Sequence, residues 1–292
     1  MRAFAYLSQG QAGWVEKAPP QATGFDGIIR PLLVSPCTSD VHNVEIGCLA
    51  PHRILGHEGL GEIVAVGDQV RDFQVGEIVV VPPVTPDWRT VPSQLGAHQH
   101  CAGLITGQKL SNGEDGLLAE YVRIRDLDAN AARIPPGVSW EGAVMAADML
   151  NTGLYGAQLA DVQPGDTVAV LGAGPVGLCA MECARLLGAG QVIAIEPRKE
   201  RRELARAEGL ADVVLAPGES GEILARTEGR GADGVIECAG GADTFQTAWQ
   251  IARPNGIVAV VAMYEQNQVL PLPEMYGKNL IFKTGGVDAR HG

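Results

Sequence analysis

Thr167-Val-Ala-Val-Leu-Gly-Ala-Gly-Pro-Val-Gly177 is an apolar run that ends in glycines at 172, 174 and 177. Leu178-Cys-Ala-Met-Glu-Cys-Ala-Arg-Leu-Leu187 follows it with the character of a helix. A strand feeding a helix through that spacing is built to hold a pyrophosphate. Gly172 makes the tight turn, Gly174 lets the main chain approach phosphate, and Gly177 lets the helix pack on the strand. The helix N-terminus then presents unpaired N–H groups and a partial positive charge. Pro175 and Val176 lie within the same turn and count with the cofactor-binding residues. The next strand, Gln191-Val-Ile-Ala-Ile-Glu196, closes on a carboxylate 19 residues after Gly177. A carboxylate there can accept both adenosine ribose hydroxyls. The alternative, a tight turn that binds no nucleotide, lacks that combination of preceding strand, following helix and distant acid.

Outward from this motif the chain alternates strictly. Strands are predicted at 167–172, 191–196, 211–216, 233–238 and 256–262, with helical stretches between them, and Leu280–Thr284 offers a sixth. That series predicts a parallel, doubly wound sheet. Right-handed crossovers then bring every cofactor-binding loop to one edge. Before about residue 150 the apolar runs are short and broken by glycine and proline. Gly27–Val34, Leu60–Val66 and Glu77–Val81 read as strands, with Gly67-Asp68 as a turn signal between two of them. Glu141–Leu159 is expected to be the helical connection between the halves. The expected fold class is α/β: a β-rich domain over residues 1–150 and a Rossmann dinucleotide-binding domain over 151–292.

A chain of 292 residues is long enough for two domains. It is 46% hydrophobic and 19% charged, with a formal net charge of −12. That acidity argues against nucleic acid or an anionic membrane surface as partner, because both need a basic face; it reads as a solubility feature. Met1-Arg-Ala-Phe-Ala-Tyr6 has no long apolar stretch, and no apolar run approaches the roughly 20 residues of a membrane span. The six cysteines contain no Cys-x-x-Cys pair, and Cys179 and Cys183 fall four apart on a predicted helix as small buried residues. A reduced, cytoplasmic enzyme is expected.

Three segments of the first half carry chemistry: Pro36-Cys-Thr-Ser-Asp-Val-His42, Leu55-Gly-His-Glu-Gly59 and Val144-Met-Ala-Ala-Asp-Met-Leu-Asn-Thr-Gly153. Each has a plain reading by itself. A lone cysteine is more often core than ligand, a lone histidine is usually a satisfied hydrogen-bonder, and Asp148 can cap a helix. Together they offer thiolate, imidazole and carboxylate, the donor set of a catalytic zinc site with an open position. The two negative charges of Cys37 and Asp148 would balance a zinc ion, and a neutral site can still lower the pKa of a bound alcohol.

These residues, with Ile54-Leu-Gly-His-Glu58, Val81-Pro-Pro-Val-Thr-Pro-Asp-Trp-Arg-Thr90, His98-Gln-His100 and Val170–Gly177, make the chain resemble the zinc-dependent alcohol dehydrogenases of the medium-chain dehydrogenase/reductase superfamily. Within it the bacterial secondary alcohol dehydrogenases are most similar. The likeness runs through essentially the whole chain. It implies a GroES-like catalytic domain followed by the Rossmann domain, and zinc bound by Cys37, His57 and Asp148. Glu58 matches an exchangeable fourth ligand. Ser39 and His42 match the residues that relay the alcohol proton. The implied reaction is reversible oxidation of a secondary alcohol or diol to a ketone, with hydride passing to the nicotinamide cofactor. A homodimer or homotetramer is implied as well.

Four departures from the family pattern set further expectations. Many relatives hold a structural zinc on four cysteines near residues 85–110; only Cys101 stands there, so one catalytic zinc and no structural zinc are expected. NADP-dependent members of the subgroup have a small residue where Glu196 stands, so NAD is expected over NADP. Arg198, Lys199, Arg201 and Arg202 can blunt the repulsion of a 2′-phosphate. They fall on the outside of a predicted helix, where surface charge is the favoured role, and Arg198 alone is kept among the cofactor-binding residues. Gln108 replaces a pocket tryptophan, and a more polar pocket has room for a diol or hydroxyketone. Finally, relatives return to the catalytic domain after the sixth strand, whereas this sequence ends at Val287–Gly292, so that return segment is expected to be absent. A butanediol, polyol or threonine dehydrogenase, a zinc-free enone reductase and a truncated, non-catalytic nucleotide-binding protein are the competing readings; Cys37, His57 and Asp148 argue against the zinc-free one.

Overall fold

A computed structural model describes residues 1–287. These residues form two compact units, Met1–Asp148 and Met149–Val287. Residues 288–292, on which the expected early end rests, lie outside the described residues.

In the first unit, β1 (Arg2–Ser8) and β2 (Gln11–Glu16) form an antiparallel pair. β3 (Gly27–Val34) leads into α1 (Thr38–Ile46), and β4 (Gly59–Val66) and β5 (Ile78–Val81) follow. After the short helix α2 (Val91–Gln94) come β6 (Val122–Ile124), α3 (Leu127–Asn130), β7 (Ala132–Arg133) and α4 (Trp140–Ala147). The strands form an antiparallel sheet in the order β6-β3-β4-β5-β7. Alternate residues of β3, β4 and β5 turn Ile29, Ile63, Val79 and Val81 into a core shared with Leu117, Val122, Ile124 and Leu127. α4 packs Ala143 and Val144 against Leu60 of β4.

The second unit opens with α5 (Met149–Leu159) and continues β8 (Thr167–Leu171), α6 (Pro175–Leu186), β9 (Gln191–Ile195), α7 (Lys199–Ala207), β10 (Val213–Leu215) and α8 (Gly221–Arg226). It ends with β11 (Ala232–Glu237), α9 (Thr244–Ile251), β12 (Ala252–Val260), α10 (Leu272–Met275) and β13 (Ile281–Thr284). All six strands are parallel, in the order β10-β9-β8-β11-β12-β13. This is the doubly wound sheet expected from the alternation, with its order reversing beside β8. Both faces are buried, as a parallel sheet requires. Val168, Val170, Val192 and Ala194 face one core with Ala157, Ala180 and Met181, and Ala169, Leu171, Ile193 and Ile195 face another with Ile223, Ala248 and Trp249.

Strand ends shift by up to four residues, most at β12, and two helical features bear on the site. α6 begins at Pro175, three residues early, because proline at the first helical position loses no hydrogen bond there. The expected helical connection over 141–159 is made of two helices that meet at Asp148, whose backbone (φ −132°, ψ −59°) is not helical. None of the described helices is long and apolar enough to cross a membrane.

Candidate metal centre and cofactor edge

Three local features gather the reactive side chains of the first unit. β3 and β4 are antiparallel with Val34 opposite Gly59, so the residues after β3 and before β4 lie side by side, and Ser35 N–H donates to Glu58 O at 3.2 Å. Cys37 is the N-cap of α1, and His57 and Glu58 run directly into β4. Asp148 ends α4, whose start is capped by the Ser139 hydroxyl accepting from Gly142 N–H at 3.1 Å. The break between the two helices therefore falls at a residue of the site.

Cys37, His57, Glu58 and Asp148 each present one donor atom, and the four atoms all lie within 4.8 Å of one another. His57 Nε2 is 3.6 Å from Asp148 Oδ2 and 3.4 Å from Ser39 Oγ. Glu58 is fully buried, and neither carboxylate oxygen has a hydrogen-bond partner. An orphaned buried carboxylate beside thiol, imidazole and a second carboxylate is costly unless a cation joins them. The donors suit zinc, which takes S, N and O ligands of this kind. His42 stands three residues beyond Ser39 on α1, on the same side of the helix.

Asp40, absent from the sequence candidates, is the hub beneath these groups. It is 5% exposed. Its Oδ1 accepts from Gly56 N–H at 3.0 Å and from the Ser111 hydroxyl at 2.8 Å, and faces His57 Nδ1 at 3.4 Å; Oδ2 accepts from Cys37 N–H at 3.2 Å. A carboxylate behind a ligating histidine fixes the ring and its tautomer. Its presence within Pro36–His42 was the available signal.

Burial and the neighbouring Asp148 carboxylate push the Glu58 carboxyl up to about 8. Burial alone would lower the His57 imidazole, but Asp148, Asp40 and the Cys37 thiol outweigh it and raise His57 well above its usual value. For Asp40 burial is outweighed by His57, Gly56 and Ser111, which leave it lowered. In the metal-free protein Glu58 and His57 hold protons in the fold that the unfolded chain releases from 4.5 and 6.5 upward. Stability then falls as pH rises through that window and past about 8. Metal binding requires the deprotonated donors, so it strengthens over the same range. The melting temperature of chelator-treated protein is expected to drop between about pH 5 and pH 9, while the gap to zinc-loaded protein widens. A metal-free melting temperature that rises with pH would contradict these proton affinities.

At the carboxyl edge of the second unit, the glycine turn behaves as its spacing implied. Gly172 has φ +94°, and a Cβ on Gly177 would lie 1.9 Å from Gly172 O. A Cβ on Gly174 would meet nothing nearer than Arg201 Nη1, at 3.5 Å, which leaves the N-terminus of α6 approachable. Arg201 thus stands at the phosphate turn rather than on a remote surface. Arg202 is also engaged, donating through Nη1 to Glu196 O and Pro197 O at 2.8 and 2.6 Å. Arg202 therefore has a main-chain tie besides its charge. The Arg198 side chain is exposed, and its N–H donates to Glu196 Oε1 at 2.8 Å. Glu196 Oε2 accepts from Ala173 N–H at 2.7 Å, so this carboxylate, 2% exposed, ties the glycine turn to the start of α7. Sequence alone did not show that tie. Glu237, at the end of β11, similarly holds Ala239 and Gly240 N–H at 2.8 and 2.9 Å.

In the region of the absent cysteine quartet, Cys101 is buried near Thr106. That segment is held by Trp88, whose ring lies 4.6 Å from His98 and whose Nε1 donates to Asn130 Oδ1 at 2.8 Å. Gln108 is half-buried, and its carbonyl accepts from Asn112 Nδ2 at 3.3 Å.

Comparison with known proteins accords with both halves. Residues 23–136 match the alcohol dehydrogenase GroES-like domain, and residues 175–284 match the zinc-binding dehydrogenase family. A curated relative from Thermoanaerobacter brockii, an NADP-dependent isopropanol dehydrogenase, is 46% identical over 290 residues, covering 97% of this chain and 82% of its own. The chain belongs to the zinc-binding alcohol dehydrogenases. An NADP-dependent isopropanol dehydrogenase of Clostridium beijerinckii is 40% identical to this alcohol dehydrogenase, with the same two coverages. The solved alcohol dehydrogenase of Thermus sp. ATN1 superposes with a TM-score of 0.87 at 31% identity, over 98% of this chain and 85% of the other.

Proposed function

We propose that this alcohol dehydrogenase interconverts secondary alcohols and ketones with a nicotinamide cofactor, NAD in preference to NADP. The observation that carries the reading is the convergence of half-buried Cys37 with buried His57, Glu58 and Asp148 within 4.8 Å. Cys37, His57 and Asp148 would hold one zinc ion, with Glu58 as an exchangeable fourth donor. When bound, the metal supplies Lewis acidity toward the alcohol oxygen and the nicotinamide accepts the hydride. Ser39 takes the hydroxyl proton, its Oγ lying 3.4 Å from His57 Nε2, and His42 stands next on α1 to receive it. Gly172, Gly174, Pro175, Val176 and Gly177 seat the pyrophosphate, and Glu196 takes the adenosine ribose.

NAD is favoured because the Glu196 carboxylate opposes a 2′-phosphate, although the two isopropanol dehydrogenases are NADP-dependent by name. The polar Gln108 supports a diol such as 2,3-butanediol beside 2-propanol as substrate. Among the described strands β13 pairs with β12 alone and exposes Ile281 and Phe282, which gives a homodimer or homotetramer a route through the sheet edge. All six cysteines are free thiols, which suits the reducing cytoplasm.

The test is the absorbance of reduced nicotinamide with 2-propanol or 2,3-butanediol, against NAD and NADP. Turnover with NAD that a zinc chelator abolishes and zinc restores is expected. Undiminished turnover in protein shown to be metal-free would overturn the zinc assignment.

A further inference from the structure

α1 carries Cys37 at its cap, then Ser39, Asp40 and His42. A turn that the proposed chemistry does not use is fastened along this helix. It runs from Lys109 to Glu114 and is closed by Asn112 N–H and Glu114 N–H donating to Lys109 O at 3.1 and 2.8 Å. Two adjacent residues of the turn reach α1. Ser111 donates its hydroxyl to Asp40 Oδ1 at 2.8 Å, and Asn112 Oδ1 accepts from Asn43 Nδ2 at 3.2 Å. Asp40 and Asn43 are three apart, on one face of the helix.

Ser111 is an unusual anchor. It is 1% exposed and has φ +66°, the left-handed region that a non-glycine residue occupies at some cost. A strained, buried serine persists when the surrounding contacts over-determine it. Its hydroxyl meets the same carboxylate oxygen that faces His57 Nδ1 and accepts Gly56 N–H. Without that hydroxyl, Oδ1 keeps Gly56 N–H and His57 Nδ1 and Oδ2 keeps Cys37 N–H, but the carboxylate loses its bond to the 109–114 turn, so its orientation and that of the imidazole it faces are held by fewer contacts.

We propose that Ser111 is a positioning residue of the metal centre: acting through Asp40, its hydroxyl fixes the orientation of His57 and so how firmly the donor set holds a divalent cation. The inference rests on the assignment of Cys37, His57 and Asp148 as donors.

The test uses the full chain and the metal alone as probe. Zinc affinity is measured by competition with a chromophoric chelator, and the visible absorption of the cobalt(II) form reports donor geometry. Ser111→Ala is expected to weaken zinc by about three- to tenfold, the range of one buried hydrogen bond acting behind a ligand, and to shift the cobalt bands. Ser111→Gly, which relaxes the left-handed backbone, is expected to do the same and covers a failure of the alanine variant to fold. In an Asp40→Ala background, which removes the acceptor of the Ser111 hydroxyl, neither change should weaken zinc further. Unchanged zinc affinity and cobalt spectrum in both variants, or a loss of equal size in the Asp40→Ala background, would overturn the proposal. Cys37→Ser separates the two levels. If it keeps full zinc affinity, the donor assignment has failed; if it loses zinc while both Ser111 variants bind normally, the positioning role alone has failed.

Discussion

Cys37→Ser is expected to remove zinc and alcohol turnover together while nicotinamide binding persists. Serine keeps the size of cysteine and its place as N-cap of α1, and it accepts at a helix start at least as well. The helix and its neighbours are therefore expected to stay in place. What changes is the donor. A thiolate is a soft anionic ligand for zinc, whereas a serine hydroxyl is neutral at ordinary pH. The remaining set would be His57, Asp148 and Glu58, with Glu58 protonated up to about 8 and His57 also held protonated by its carboxylate neighbours. Turnover is expected to fall by more than the roughly 10–100-fold that substitutions behind the ligands cost. The glycine turn and Glu196 lie in the other compact unit, so the dissociation constant for NADH should stay within about twofold. Metal analysis, turnover and NADH fluorescence on one preparation check all three. Retained zinc with lost turnover would move Cys37 from ligand to another role.

The architecture was legible where the signal is local. Gly172 and Gly177 betray themselves by spacing, because one needs a left-handed backbone and the other leaves no room for a Cβ. The apolar runs of β8 and β9 read as buried strands because both faces of a parallel sheet are covered. Cys37, His57 and Asp148 were visible as residue types that together make a zinc donor set, and the resemblance then marked them as ligands. The break between the two helices at Asp148 gave no warning, since Ala147-Asp148-Met149 holds neither proline nor glycine. Asp40 and Ser111 were hidden for a different reason. Their bond spans 71 residues, and a serine in a polar turn looks like any other until the fold buries it. Arg201 and Arg202 read as outward charges on a helical projection, and the structure adds that Arg202 bonds Glu196 O while Arg201 Nη1 lies near Gly174.

Glu196 leads to the second large effect. Glu196→Gly is expected to raise the ratio of catalytic efficiency with NADP to that with NAD by about 100-fold. Two unit charges 4 Å apart at an effective dielectric of 20 interact by about 4 kcal/mol, and each 1.4 kcal/mol is a factor of ten. Solvent at the adenosine end reduces that ceiling, which leaves about two orders of magnitude. The substitution has a structural cost. Ala173 N–H and Arg198 N–H both lose their acceptor, which loosens the glycine turn and weakens both cofactors. The ratio is therefore the discriminating quantity, because loosening of the turn affects NAD and NADP alike whereas charge acts on the 2′-phosphate alone. Glu196→Gln separates the two effects. Its amide oxygen can still accept from one main-chain N–H, so the turn is partly kept while the charge is gone, and the ratio should move in the same direction. If both variants weaken NAD and NADP equally, Glu196 serves only to tie the turn, and cofactor choice resides in another contact with the 2′ position.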